Sequence, residues 1–375
     1  CLVGSEMCIR DRHVIMTENA CNFINPITFE TLTGNKCLVD TFDRNFQFNV
    51  EHISLAKLAD IFLVAPASAD VIGKIANGIA DDMLTTTIMA CKCPKLISPA
   101  MNTNMFTNPI VQDNLKKLEH YGYEIIQPDS GYLACGDTGS GKMPSEQVLL
   151  NYILRTIAKD KDMAGIKLTV TAGPTREKLD PVRFLSNNST GKMGYAIAKM
   201  AMLRGADVTL ISGKVSLEPV PFVKMVDIVS AEDMYNAVIK SAKDADIIIK
   251  AAAVADYRPS EVSDEKIKKK DGDMSIPLER TKDIIGTLGS SKRDGLFLCG
   301  FSMETEHMLD NSKVKLTKKN LDMIVANNVK VAGAGFGTDT NVVTVITKDA
   351  VEELPMMSKE EVADALLDRI MKARQ

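Results

Sequence analysis

The chain has 375 residues, enough for two domains at roughly 150 residues each, so a peptide or a single small module is excluded. Its 45 Lys+Arg against 49 Asp+Glu leave a formal net charge of -4, which offers no general attraction to nucleic acid or an anionic membrane, and neither is an expected partner. Eight scattered cysteines are too sparse for a secreted disulfide scaffold, and no apolar run reaches 18 residues; the expected setting is the reducing cytoplasm, with nothing spanning a bilayer.

Residues 1–12 carry neither helical nor strand periodicity and lack the features of a signal peptide. They read as a non-native leader, with a native first strand and helix missing. A strand already under way is expected at 13–17. Further strands are expected at 60–68, 94–101 and 123–128, with helical patterns at 71–90 and 112–122 and a closing helix at 147–159. Short continuous apolar runs alternating with helices predict a parallel sheet covered on both faces. The polar stretch 159–165 is the expected boundary between a first domain at 1–160 and a second at 165–375. Beyond it the rhythm restarts, with strands expected at 167–173, 207–213, 223–229, 246–254, 296–302 and 321–327 and helices at 192–205 and 231–245. This βαβ order predicts a second doubly wound sheet, with ligands beyond the carboxyl ends of its strands.

Several motifs have a bland reading beside a chemical one. Gly136 to Lys142 fits part of a phosphate-binding loop, but Met143 stands where the magnesium-binding hydroxyl belongs, so that reading is set aside. Residues 188–194 (NSTGKMG) form a turn leading into a helix, either a plain cap or an anion site. Neither stretch is the dinucleotide pattern of spaced glycines. His52, one of four histidines, is an ordinary polar residue or a proton carrier. Asn102 and Asn104 follow a strand, where their amides are placed to hold a carboxylate, and Cys135 lies in a glycine-rich loop suited to an exposed thiol acid. Cys91 and Cys93 have the wrong spacing for zinc. The run Lys266 to Lys270 is a solvated face or, with Lys313, Lys315, Lys318 and Lys319, the lining of a polyphosphate site. Asp256 ends an alanine-rich strand, where a carboxylate suits magnesium or a ribose.

Taken in order, EHISLAK, APASAD, IANGIADDML, PAMNTNM and ACGDTGSGKM in the first half, and TAGPTREKLDPVRFLSNNSTGKMG, AAAVADYRP, EKIKKK and LDMIVAN in the second, form a specific series. From His13 onward the chain resembles the bacterial bifunctional enzymes of coenzyme A biosynthesis, in which phosphopantothenoylcysteine decarboxylase is fused to phosphopantothenate-cysteine ligase.

The resemblance implies a flavodoxin-like first domain that binds FMN, and a Rossmann-like ligase domain that uses CTP with magnesium. In the decarboxylase half, FMN is the electron sink: the thiol-bearing carbon is oxidised, carbon dioxide leaves, and the electrons return. It implies proton transfer and positioning for His52, a grip on the departing carboxylate for Asn102, protonation of the ene-thiol for Cys135, and flavin contacts at Thr17 and Ser68. In the ligase half, 4'-phosphopantothenate is activated as an acyl-cytidylate and captured by the cysteine amine. Arg183 and Asn187 are the implied substrate and acyl-cytidylate residues. Lys266 is implied to stabilise charge on the α-phosphate, while Asp256, Lys282, Asp283, Phe301, Lys315 and Lys319 fall at nucleotide-site positions. No metal ligand is singled out. GFSMET at 300–305 departs from the commoner GFAAET of the family.

Ligase dimers and decarboxylase trimers are the implied assemblies. The family's opening strand and GGIAAYK-like loop are absent, so ligation alone is the first alternative function. An NAD(P)H-dependent flavin reductase and a non-catalytic flavin-binding subunit are further alternatives. The missing dinucleotide glycines oppose the first of these, and the set His52, Asn102, Cys135, Asn187 and Lys266 opposes the second.

Overall fold

The computed structural model describes residues 11–42, 51–133, 136–268, 274–303, 308–327, 335 and 337–374. Contacts divide the chain into two units, Cys1–Ala158 and Lys159–Gln375.

In the first unit, the helices α1 (Pro26–Thr33) and α2 (Glu51–Leu58) precede β1 (Phe62–Ala67), α3 (Ala69–Ala76), α4 (Met83–Ala90) and β2 (Lys95–Pro99). Then come α5 (Thr103–Phe106), α6 (Pro109–His120), β3 (Glu124–Ile125), the hairpin strands β4 (Asp129–Tyr132) and β5 (Thr138–Lys142), and α7 (Glu146–Ile157). Strands β1, β2 and β3 form a parallel sheet in that order. Val64 and Ile97 on its strands pack with Ile72, Ile75, Ile88 and Leu118 on the helices, as a helix-covered parallel sheet requires.

Three details differ from the sequence expectations. The helical run at 71–90 is two helices, because Asn77 ends α3 and Asp82 opens α4 through a capping box with Thr85. The strand expected at 13–17 is a single parallel bridge, Ile15 to Leu38. It stops there because Thr17 turns the chain, its carbonyl and hydroxyl both accepting from the Ala20 N–H. The run at 123–128 pairs only over β3, since Pro128 has no N–H for a ladder. Thr138–Lys142 is a hairpin strand paired with β4, in keeping with the phosphate-binding loop having been set aside.

The second unit contains β6 (Lys167–Ala172), β7 (Arg176–Lys178), β8 (Phe184–Ser186), α8 (Lys192–Leu203), β9 (Asp207–Ser212), β10 (Lys224–Asp227) and α9 (Ala231–Ser241). Its middle holds β11 (Ile247–Lys250), β12 (Tyr257–Pro259), β13 (Leu278–Arg280), α10 (Ile284–Ser290), β14 (Phe297–Met303), α11 (Met308–Lys318) and β15 (Met323–Asn327). The chain finishes with β16 (Thr340–Asn341), β17 (Val343–Thr347), β18 (Val351–Glu353), β19 (Met357–Ser358) and α12 (Lys359–Ala373).

The main sheet runs β10-β9-β6-β11-β14-β15-β17-β18. It is parallel as far as β15, and β17 and β18 add an antiparallel edge. The direction of winding reverses between β6 and β11, which places the ligand crevice beyond the carboxyl ends of those two strands. The strand expected at 246–254 ends at Lys250 because the alanines after it leave the ladder. Ala252 N–H donates to Thr171 Oγ1 at 3.1 Å, and Ala253 N–H to the Gly173 carbonyl at 3.0 Å. Among the described residues, no helix is long and apolar enough to cross a membrane.

Candidate functional site

In the first unit, the carboxyl ends of neighbouring strands bring two of the expected residues to one edge. Ala67 of β1 is opposite Pro99 of β2, so Ser68 and the 100–105 loop leave the sheet side by side. Ser68 caps α3, its hydroxyl accepting from Val71 N–H at 3.3 Å. Asn102 caps α5, its Oδ1 accepting from Asn104 N–H at 2.8 Å, which aims the amide Nδ2 outward. That Nδ2 donates to the Asp137 carboxylate at 3.4 Å.

The hairpin carrying Asp137 lies directly on this loop. Met101 N–H donates to the Gly141 carbonyl at 3.0 Å, and a Cβ on Gly141 would stand 2.1 Å from the Met101 oxygen. Only glycine permits that approach. Ser98 Oγ and Thr103 Oγ1 are buried here without partners. Thr17 sits at the turn that ends the Ile15 bridge. His52 is half-buried in the first turn of α2, and no described hydrogen bond ties it to Asn102 or Ser68. Cys135 lies outside the described residues.

The second unit gathers its residues around a carboxylate that sequence reasoning missed. Asp180, almost fully buried, accepts from the backbone N–H groups of Val182 and Arg183 at 2.8 Å each. It also accepts from Arg183 Nε at 2.9 Å and Nη2 at 2.6 Å, and from Ile267 N–H at 3.2 Å. Arg183 Nη2 completes the clasp on the Ile267 carbonyl at 2.9 Å. The turn between β7 and β8 and the loop after β12 are thereby locked together, with exposed Lys266 beside the joint. The Arg183 hydrogen bonds, above all, hold the Asp180 carboxyl well below the usual carboxylate range. The Asp-Pro pair at 180–181 was the available signal, because an aspartate before proline opens turns of this kind.

Asn187 Nδ2 reaches the Ala253 carbonyl at 3.1 Å, joining the loops after β8 and β11. Asp256 is exposed just beyond, held by its backbone to Thr281. Asp283 caps α10 and pairs with Lys319 Nζ at 2.9 Å. Its carboxyl is held below the usual range: burial pushes it up, and the Lys319 and Gly286 hydrogen bonds outweigh that. Lys315 lies one turn earlier on α11, and Phe301 is half-buried on β14. Lys282 is turned elsewhere, paired with Glu232 at 2.7 Å and lying over the Tyr235 ring. No group of three or more His, Cys, Asp or Glu among the described residues is arranged to hold a metal ion. Cys91 is buried beside Cys93, and burial pushes its thiol up to about 11.

A helix-covered parallel sheet with a capped amide loop, followed by a doubly wound sheet whose switch point gathers basic residues, defines a two-unit α/β enzyme. Residues 10–158 match the family described as Flavoprotein, and residues 163–373 the DNA/pantothenate metabolism flavoprotein C-terminal domain. The chain belongs to the family of bifunctional coenzyme A biosynthesis proteins. It is 47% identical over 361 residues to the coenzyme A biosynthesis bifunctional protein CoaBC of Bacillus subtilis strain 168, covering 95% of this chain and 89% of that protein. The protein of the same name from Haemophilus influenzae is 41% identical over 362 residues, covering 96% of this chain and 90% of its own. A cysteine/cysteine sulfinic acid decarboxylase from an unknown prokaryotic organism is 42% identical over 354 residues, covering 93% and 99%.

Proposed function

We propose that this enzyme of coenzyme A biosynthesis joins cysteine to 4'-phosphopantothenate with CTP in its second unit and decarboxylates the resulting phosphopantothenoylcysteine to 4'-phosphopantetheine in its first. The observation that carries the ligase reading is the Asp180 clasp, which fixes Arg183 and the Lys266 loop at the switch-point end of the sheet.

Ligation needs an activated carboxyl. Attack of the 4'-phosphopantothenate carboxylate on the CTP α-phosphorus forms an acyl-phosphate bond and expels pyrophosphate. The cysteine amine then forms the amide, CMP leaves, and the amine proton passes to solvent. Lys266 faces the charge that builds on the α-phosphate, and Arg183 and Asn187 hold the acyl-cytidylate. Lys315 and Lys319 neutralise the remaining phosphates. Magnesium accompanies the triphosphate, held mainly by the phosphates themselves and their waters.

The first unit fits FMN. Ser68 at the start of α3 offers a hydroxyl beside free helix N–H groups, and the unpartnered Ser98 and Thr103 hydroxyls offer further polar atoms at the same sheet edge. Bound FMN supplies the transient oxidation without which the carbanion left by carbon dioxide has no sink. Asn102 grips the departing carboxylate; its Nδ2 already turns toward a carboxylate, that of Asp137. His52 positions the substrate and moves a proton, and Cys135 delivers the proton in the reductive half. Trimers of first units and dimers of second units complete the proposal, with exposed Phe23, Ile27 and Leu32 on one and Val182 and Phe184 on the other as apolar surface to cover.

Mass spectrometry of products from the purified chain with 4'-phosphopantothenate, cysteine, CTP, magnesium and FMN tests both halves. The expected products are CMP, pyrophosphate and 4'-phosphopantetheine. Accumulation of phosphopantothenoylcysteine would restrict the activity to ligation, and absence of CMP would overturn the reading.

A further inference from the structure

Lys250 is a residue to which the resemblance assigns no role, and its surroundings give it one. Side chains alternate along β11, so Lys250 projects to the same side of the sheet as Ile248. Ile248 packs in one cluster with Ile284, Ile285 and Leu288 of α10 and Leu316 of α11. The register partner of Lys250 on β14 is Gly300. A Cβ there would meet Ile285 Cδ1 and Leu321 Cδ1 at 3.1 Å, so the helical layer closes over this point, and the bare glycine keeps the neighbouring strand clear of the lysine. Asn320, just after α11, is fastened to the Gly289 carbonyl at 3.1 Å, which keeps that helix end against α10.

The charged groups acting on Lys250 are Lys315 on α11 and Lys319 just after it, Asp283 at the start of α10, and Asp256 beyond β11. Asp283 is already engaged by Lys319 at 2.9 Å. Among the described residues, no hydrogen bond or ion pair engages the Lys250 ammonium. Burial first, and then repulsion by Lys319, hold its pKa below the ordinary lysine range against the pull of Asp283 and Asp256. Lys250 is half-buried, so its ammonium stays within reach of an incoming ligand, and a multiply charged anion with several acceptor oxygens matches the cations gathered there. A carboxylate alone would not match three cations supplied by two elements.

We propose that Lys250 binds the triphosphate of the nucleotide co-substrate, sharing it with Lys315 and Lys319 and finding its partner only when the nucleotide is bound. This rests on the reading of the second unit as a CTP-dependent ligase. Met has a stem of similar length, so Lys250→Met removes the charge and keeps the packing; Lys250→Gln keeps donors without charge.

The test is isothermal titration of the full chain and both variants with CTP and with CMP, together with thermal unfolding without nucleotide. The expected result is CTP binding weakened tenfold or more in both variants, CMP binding within twofold of the parent, and an unliganded Tm equal to or above that of the parent. CTP affinity unchanged in the variants would overturn the assignment. So would equal weakening of CTP and CMP with a lowered Tm, the mark of a purely structural lysine. If the parent chain itself bound no CTP, the ligase reading would fall, and that outcome is distinct from a parent that binds and variants that bind equally well.

Discussion

Asp180 shows how a single buried carboxylate can join two loops of a candidate site. It orients Arg183 and restrains Ile267, and through Ile267 the neighbouring Lys266. Asp180→Asn removes the charge and exchanges an acceptor for a donor facing N–H groups. The expected outcome is faster amide hydrogen exchange at Ile267 and ligation slowed at least tenfold; parent-like exchange at Ile267 would dismiss the clasp. The pH dependence has a definite sign. The folded carboxyl titrates below its unfolded value, so as pH falls the unfolded chain takes the proton first. The stabilisation is complete above roughly pH 5 and is lost progressively below the ordinary Asp value of about 3.9. Denaturant titrations of the parent and Asp180→Asn should therefore differ most at neutral pH and converge in acid. At Lys266 the effect is on chemistry alone: Lys266→Ala should lower kcat for CTP-dependent ligation by about 100-fold or more with an unchanged unfolding midpoint. A parent-like kcat would remove the lysine from the mechanism.

At the scale of elements, the hairpin β4–β5 and the 100–105 loop act as one piece, because the Met101–Gly141 contact leaves no room for a side chain. Gly141→Ala should push the hairpin off the loop, cost about 1–3 kcal/mol of stability and disturb Asn102 through Asp137. Decarboxylation of supplied phosphopantothenoylcysteine should fall while ligation stays intact. Undiminished decarboxylation would show that the hairpin does not organise this site. Central elements were legible because their apolar runs carry the period of what they form, as at 167–173 and 192–205. The hairpin was not: its strands are rich in glycine and polar residues, and what makes it a strand pair is its seat on Met101. The antiparallel edge β17–β18 escaped notice for a related reason. An edge strand is defined by the neighbour it finds, and pattern alone does not name that neighbour.

Taken whole, the molecule is two units divided at Ala158 and Lys159, and we propose them as independently stable domains that meet close to the boundary expected at 160–165. Segment 159–163 is fastened within the second unit, with Lys159 paired to Asp364 at 2.7 Å and Met163 N–H bonded to the Arg204 carbonyl at 3.0 Å. Calorimetry of the full chain should then resolve two transitions. FMN should raise one and CTP the other, each by about 2.7 kcal/mol at a hundredfold excess over its Kd. One transition raised alike by both ligands would refute independence.

The sequence by itself determined the two layered α/β units and the family, and it supplied the residues we propose for the chemistry. Each of these rests on local periodicity or on contiguous motifs such as PAMNTNM and EKIKK, which a linear reading can hold entire. Only the tertiary structure decided that Asp180 joins two loops separated by more than 80 residues, that Lys282 is spent on Glu232, and that Lys250 stands among the charges of α10 and α11. Burial and charge pairing act through space, so a lysine ending an apolar strand reads in the chain as a polar terminus, and becomes a binding group only once the helices close over it.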